Sequence, residues 1–243
     1  MPDEPLFDPK YDPREDGVVR EAGARLVRPR HAATLILVRR DGKKPRLLMG
    51  RRAGGHAFMP SKWVFPGGRV DRTDFTAPSA SDLTPEAETK LRLTARHSSP
   101  QLPRALALAA IRETFEEAGL LLAKQAPPRP GAGPWREFLE AGALPDLAPL
   151  QFVARAITPP YRPRRFDARF FMAEADALLS LDRRPDCGEL DEIAWVDLDE
   201  TRDLDLPNVT RFVVREVEQR LQQPDRPVPF MRFLNRKRWL EHL

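Results

Sequence analysis

The stretch Arg112-Glu113-Thr114-Phe115-Glu116-Glu117-Ala118-Gly119-Leu120 decides how this chain is read. It closes an apolar run, and the spacing predicts a helix over about 103–118, ended by Gly119 where a left-handed C-cap favours glycine. At 100° per residue Leu108, Ile111, Phe115 and Ala118 fall on one side of that helix, and Glu113, Glu116 and Glu117 cluster on the other. Carboxylates at i, i+3 and i+4 repel one another on an exposed helix, so they need a compensating charge. A solvated acidic face partly neutralised by Arg112 is one explanation. A hard divalent cation is the other, since Mg²⁺ and Mn²⁺ take oxygen ligands, retain waters and bridge to phosphates.

The neighbours of the helix favour the cation. Upstream, the short strand Trp63-Val64-Phe65 runs into Pro66-Gly67-Gly68, where the glycines let backbone approach a ligand closely. Downstream, Gly188-Glu189-Leu190-Asp191-Glu192 makes an acidic turn ahead of Trp195. Further strands are expected at 32–38, from 45 to 49, and at 151–157, 168–173 and 192–196. In the fourth of these, Phe170 and Met172 alternate with Phe171 and Ala173, so it is apolar on both faces and belongs in the middle of a sheet. Helical spacing returns over 209–221, and a shorter helix is expected near 84–96, begun by Thr84-Pro85 and two acids.

Composition bounds the rest. With 243 residues, 41% hydrophobic and 31% charged, the chain is neither fibrous nor wholly disordered, and it is long enough for one sizeable core. The single cysteine, Cys187, and four histidines exclude an internal disulfide and a Cys/His zinc site of the usual spacing, so any metal must be held by oxygen. No run approaches the roughly 18 apolar residues of a membrane span. The acidic, proline-broken start is not expected to be a secretory signal, and the cytoplasm is the expected compartment. A net charge of +4 fits an anionic ligand; neither a membrane nor a nucleic acid is expected as a partner.

The residues from Arg112 to Leu120, together with Gly68, resemble the signature of the Nudix hydrolase superfamily, G-x5-E-x7-R-E-U-x-E-E-x-G-U, where U is bulky and apolar. Two departures stand out. Gly68 and Arg112 are 112 − 68 = 44 positions apart where the compact motif has 14, an insertion of 44 − 14 = 30 residues. Counted back from Arg112, the motif's first glutamate falls at Arg104, which leaves Arg112 without its usual acidic partner. The segments Leu47-Leu48-Met49-Gly50-Arg51-Arg52, Phe58-Met59-Pro60, Val64-Phe65-Pro66-Gly67-Gly68, Ile157-Thr158-Pro159-Pro160 and Arg164-Arg165-Phe166-Asp167-Ala168-Arg169-Phe170-Phe171 are similar to the Nudix branch that contains the peroxisomal coenzyme A diphosphatase.

That resemblance implies an α/β fold, an α/β/α sandwich with a mixed β-sheet, over residues 31–221, with an insertion at 72–103, an irregular arm at 1–30 and a basic tail at 222–243. It implies metal-dependent hydrolysis of a diphosphate bond in a small nucleotide-type substrate, coenzyme A or acyl-coenzyme A. Nucleoside diphosphate sugars, dinucleotides and nucleoside triphosphates are the enzymatic alternatives, and a silent nucleotide sensor or RNA-binding module is the alternative outside catalysis. Glu113, Glu116 and Glu117 are the implied ligands of Mg²⁺ or Mn²⁺, with the carbonyl of Gly67, and Glu189 is a further ligand, a general base or a plain turn acid. Arg51, Arg52, Arg69, Arg164 and Arg165 are candidates for substrate phosphates, because guanidinium forks suit phosphate oxygens. Phe58 and Trp63 are candidates for base stacking or for the core, and a homodimer is open.

Overall fold

A computed structural model describes residues 26–52, 61–93, 99–160, 162–184, 190–234 and 237–243. Phe58, Cys187 and Glu189 therefore lie outside the described residues, as does most of the expected N-terminal arm. The fold is built on a nine-stranded mixed sheet. Its centre is β1 (Arg30–Arg39) beside β8 (Phe166–Glu174), parallel and in register from Arg30↔Phe166 to Val38↔Glu174. One edge of β1 is shared: β4 (Gly67–Arg69) pairs with Ala32 to Thr34, and β2 (Arg46–Arg52) pairs with Val38 and Arg39. Beyond β2 lie β3 (Trp63–Val64) and β9 (Leu190–Asp197), both antiparallel to it. On the other flank of β8 comes β7 (Gln151–Ile157), antiparallel. A separate pair, β5 (Ala123–Gln125) and β6 (Ala143–Pro145), stands apart from this sheet.

Alternation along the strands gives the sheet two apolar faces, each covered. Ala33, Leu35, Leu37, Phe152 and Phe171 face α2 (Leu102–Ala118). Ile36, Val38, Ala154, Phe170 and Met172 face α4 (Asn208–Gln222) through Phe212, Val213 and Val217. The β8 strand is central, as its two-sided apolar pattern requires. The insertion does not hang free: its α1 (Pro85–Leu93) buries Ala87 and Leu91 in the same cluster as Leu102 and Leu106 of α2. The short α3 (Arg136–Glu140) adds Phe138 and Leu139 there, beside the buried Trp135. The carboxylate helix is consequently covered on nearly every side, and Glu117 is only 2% exposed. Glu113 is part-buried and the Glu116 side chain keeps 36% exposure, so the acid face is turned partly inward and partly to solvent.

Residues 222–243 differ from the expected basic tail. They form an antiparallel hairpin of β10 (Pro229–Leu234) and β11 (Lys237–His242), and β10 adds to β7 in parallel at Phe230↔Arg155 and Met231↔Ala156. The hairpin is held from below by α4, whose buried Arg220 donates to the carbonyls of Pro224 and Pro227 in the connecting turn and pairs with the buried Glu216 at 2.7 Å. Among the described residues no helix is long and apolar enough to cross a membrane.

Candidate active site

The carboxylates meet the glycine turn where β4 crosses the C-terminal half of α2. The N–H of Gly67 donates to Glu117 Oε2 at 3.0 Å. A Cβ placed on Gly68 would lie 2.5 Å from both carboxylate oxygens of Glu113, so only glycine leaves that side chain its place against the turn. At the helix end Gly119 adopts φ 69°, the left-handed geometry expected of the cap, and its N–H donates to the Phe115 carbonyl.

Arg112 organises the acids. Its Nη1 donates to Glu113 at 2.8 Å and to Glu116 at 3.1 Å, and its Nη2 donates to the Arg69 carbonyl at 2.9 Å. Its remaining donors go to Asp74, from Nε at 2.9 Å and from Nη2 at 3.1 Å. Asp74 is wholly buried in the 3₁₀ turn Arg72–Phe75, where it also accepts from Trp135 Nε1 at 3.0 Å and from the Asp71 N–H at 2.7 Å. Arg112 thus has the acidic partner that counting back to Arg104 denied it. Counted forward from Gly68, G-x5-E lands on Asp74, and the extra residues fall between Asp74 and Arg112, where 112 − 74 − 1 = 37 replace the motif's 7. Arg104 serves elsewhere, donating to the Ala77 carbonyl and Ser79. Burial by itself lowers the pKa of the Arg112 guanidinium, but its bond to Asp74 and the charges of Glu113, Asp74 and Glu116 outweigh that and leave it raised.

A cleft of about 1460 Å³ opens beside the turn, and Glu113, Glu116, Glu117, Gly67 and Gly68 are among the residues that line it. The candidate arginines separate here. Arg52, Arg69 and Arg164 line the cleft, joined by Arg28, Arg30 and Arg162. Arg51 does not, and its guanidinium pairs with Glu192 on the neighbouring β9 at 3.2 Å. Arg165 does not either: it donates to the carbonyls of Thr158 and Val27, and burial lowers its pKa. Its work is to fasten the segment before β1 to the end of β7. Trp63 packs against the apolar cluster under α4.

Among the described residues no three acidic, imidazole or thiol groups already stand close enough together to hold a metal ion. The donor set nevertheless suits one. It is entirely oxygen, as a hard divalent cation prefers, and the missing Cβ of Gly68 gives the Glu113 carboxylate its room.

Mixed sheet, glycine turn and capped carboxylate helix together define a Nudix hydrolase domain. A family model described as the NUDT19 Nudix domain matches residues 29–203, more than half of the chain. The chain belongs to that family. It is 34% identical over 178 residues to the acyl-coenzyme A diphosphatase NUDT19 of Gallus gallus, a match that covers 52% of this chain and 47% of the relative. It is 27% identical over 180 residues to a nudix hydrolase of Caenorhabditis elegans, covering 69% of this chain and 51% of that one. The chain therefore spans about half the length of the curated relatives it matches. Among solved structures it is similar to a Nudix hydrolase from Alicyclobacillus acidocaldarius, with a TM-score of 0.58 and 28% identity over 81% of this chain and 96% of that one.

Proposed function

We propose that this chain is a Mg²⁺- or Mn²⁺-dependent diphosphatase that cleaves coenzyme A or an acyl-coenzyme A at its diphosphate, giving adenosine 3′,5′-bisphosphate and a 4′-phosphopantetheine product. The observation that supports it best is the cleft, which brings together the acids of α2, the turn at Gly67 and Gly68, and the guanidinium-bearing residues Arg52, Arg69 and Arg164. Glu113, Glu116 and Glu117 would hold the metal, with the Gly67 carbonyl. The bound ion would supply charge neutralisation at the diphosphate and a more acidic water. This chain's own residues do the rest: Arg112 fixes two of the glutamates from beneath, and the cleft arginines bind and orient the phosphates for in-line attack. The name of the Gallus gallus relative supports the coenzyme A part of this reading.

A substrate panel with Mg²⁺ tests it. Coenzyme A and an acyl-coenzyme A should yield adenosine 3′,5′-bisphosphate, and EDTA should stop the reaction. Turnover confined to a nucleoside diphosphate sugar or a dinucleotide would move the assignment to that substrate class.

A further inference from the structure

One side chain in the cleft has a fixed protonation pattern that the metal chemistry does not use. His31 lies at the start of β1, next to the Gly67–Arg69 turn, since the Val70 N–H donates to its carbonyl and Ala32 pairs with Arg69. It lines the cleft with its side chain 40% exposed, while its Nδ1 lies 3.1 Å from Arg169 Nη1 and, beyond hydrogen-bond reach, 3.9 Å from Asp167 Oδ2. Arg169 is 1% exposed, and its guanidinium also binds the Asp167 carbonyl at 2.8 Å and the Asp167 carboxylate at 2.9 Å. Arg155 holds the same carboxylate through two bonds of 2.8 Å.

A guanidinium only donates, so the His31 Nδ1 facing it must be the acceptor and carries no proton. The ring's one remaining proton then sits on Nε2. Protonating Nδ1 as well would set donor against donor and add a positive charge beside two guanidiniums that share a single carboxylate. Burial, then Arg169, with Arg155 and Arg28 behind them, hold its pKa below the usual 6.5 against the opposing charge of Asp167. A neutral imidazole with a committed Nε2–H is neither a general base nor a ready acid. It is a hydrogen-bond donor.

We infer that His31 is a substrate-binding residue, its Nε2–H donating to a non-bridging phosphoryl oxygen of the diphosphate, with Arg169 as the positioning residue that fixes the tautomer. The inference rests on the diphosphate-binding part of the proposed function and not on hydrolysis or on coenzyme A. Its advantage over one more arginine is that a neutral donor orients an oxygen without competing for the acids that line the same cleft.

Two substitutions divide the ring's halves. H31N keeps an oxygen where Nδ1 accepts from Arg169 but removes the outer donor; H31Q reaches the Nε2 position with an amide N–H and abandons the acceptor. In calorimetric titration with ADP and Mg²⁺, H31N should weaken binding about tenfold with its melting temperature near the wild type. H31Q should recover most of that affinity while melting lower. The reverse ranking, or H31N binding ADP as the wild type does, overturns the inference. Long-range ¹⁵N–¹H spectra of the wild-type ring, which need no variant to fold, should show a protonated Nε2 and a bare Nδ1, with the Nε2 resonance shifting on ADP addition; a protonated Nδ1 or no shift also overturns it. Tight, His31-dependent ADP binding without turnover of coenzyme A or ADP-ribose would sink the hydrolase reading and leave this inference standing.

Discussion

Two buried charge clusters lie on the α2 side of the sheet, and they are built with opposite balance. Among the described residues Arg112 pairs with three carboxylates, those of Asp74, Glu113 and Glu116. Asp167 pairs with two guanidiniums, Arg155 and Arg169, with the His31 imidazole at the rim. A buried cluster is tolerable when its members satisfy each other. The first cluster reaches the cleft through its glutamates, whose oxygens suit a cation, and the second reaches it through His31. The pair teaches that groups lining the cleft are oriented by charges buried behind them before any exposed arginine is counted.

The sharpest way to break the first cluster is to neutralise the glutamates that line the cleft. Glu116→Gln or Glu117→Gln should lower turnover by about a hundredfold or more while leaving the fold nearly intact, because Gln keeps the side chain's shape and an acceptor for the Gly67 N–H. Steady-state rates against Mg²⁺ concentration, with circular dichroism as the fold control, check this. Unchanged rates in either variant, or unchanged rates in EDTA, would remove the metal from the mechanism.

Removing the cluster's anchor should act on stability first. Asp74→Ala leaves Arg112 its bonds to Glu113, Glu116 and the Arg69 carbonyl but removes the acceptor of two buried donors, Arg112 Nε and Trp135 Nε1, a loss of about 2–5 kcal/mol. For a chain of this length that lowers the melting temperature by on the order of 10 °C. Asp74→Glu should restore part of it, since the motif position tolerates the longer acid. A melting temperature within a degree or two of wild type in Asp74→Ala would show that Arg112 finds other partners.

Much of this was legible in the sequence, and the misses have physical causes. The strands β1, β7, β8 and β9 and the helices α2 and α4 announce themselves by period, because each packs one or two faces against a core. The hairpin β10–β11 does not, since Arg232, Lys237 and Arg238 interrupt its alternation and Arg232 is satisfied by cross-strand pairing with Glu241. Asp74 was within reach by counting forward from Gly68. Counting back from Arg112 hid it, because the inserted residues return the chain to the same point in space after 38 positions. Which of two adjacent arginines lines the cleft is set in the irregular turn that leads into β8, and no spacing in the sequence distinguishes Arg164 from Arg165.

That adjacent pair offers the next test, at the arginines in and beside the cleft. Arg164→Ala should lower kcat/KM for coenzyme A by roughly tenfold, the order of a charge-assisted contact to phosphate, and should barely change it for dephospho-coenzyme A, which lacks the 3′-phosphate. Arg165→Ala should do neither and should instead lower the melting temperature, since its guanidinium is spent on the Val27 and Thr158 carbonyls. Equal kinetic losses on both substrates would assign Arg164 to the diphosphate instead of the 3′-phosphate.

The smallest expected effect is a pH dependence of stability at the second cluster. The folded pKa of His31 is depressed below 6.5, chiefly by burial and then by Arg169. A depressed folded pKa means that the unfolded chain binds the proton more readily, so the contribution is fully present above pH 6.5 and is lost as pH falls through the folded value. Asp167 is also depressed, because its bond to Arg155 and the charges of Arg169 and Arg155 outweigh the opposing effect of burial. Its stabilisation is likewise lost on acidification, but only below the ordinary carboxylate value of 3.8, so the two windows do not overlap. Urea unfolding at pH 7.5 and 5.5 should therefore show the wild type losing more stability across that interval than H31N. Subtracting one protein from the other cancels the titration of His56, His97 and His242, which both contain. A wild type that gains on H31N as the pH falls would mean that Asp167 captures a proton on His31, and the imidazole would then be a charged member of the cluster with its Nδ1 turned from acceptor to donor.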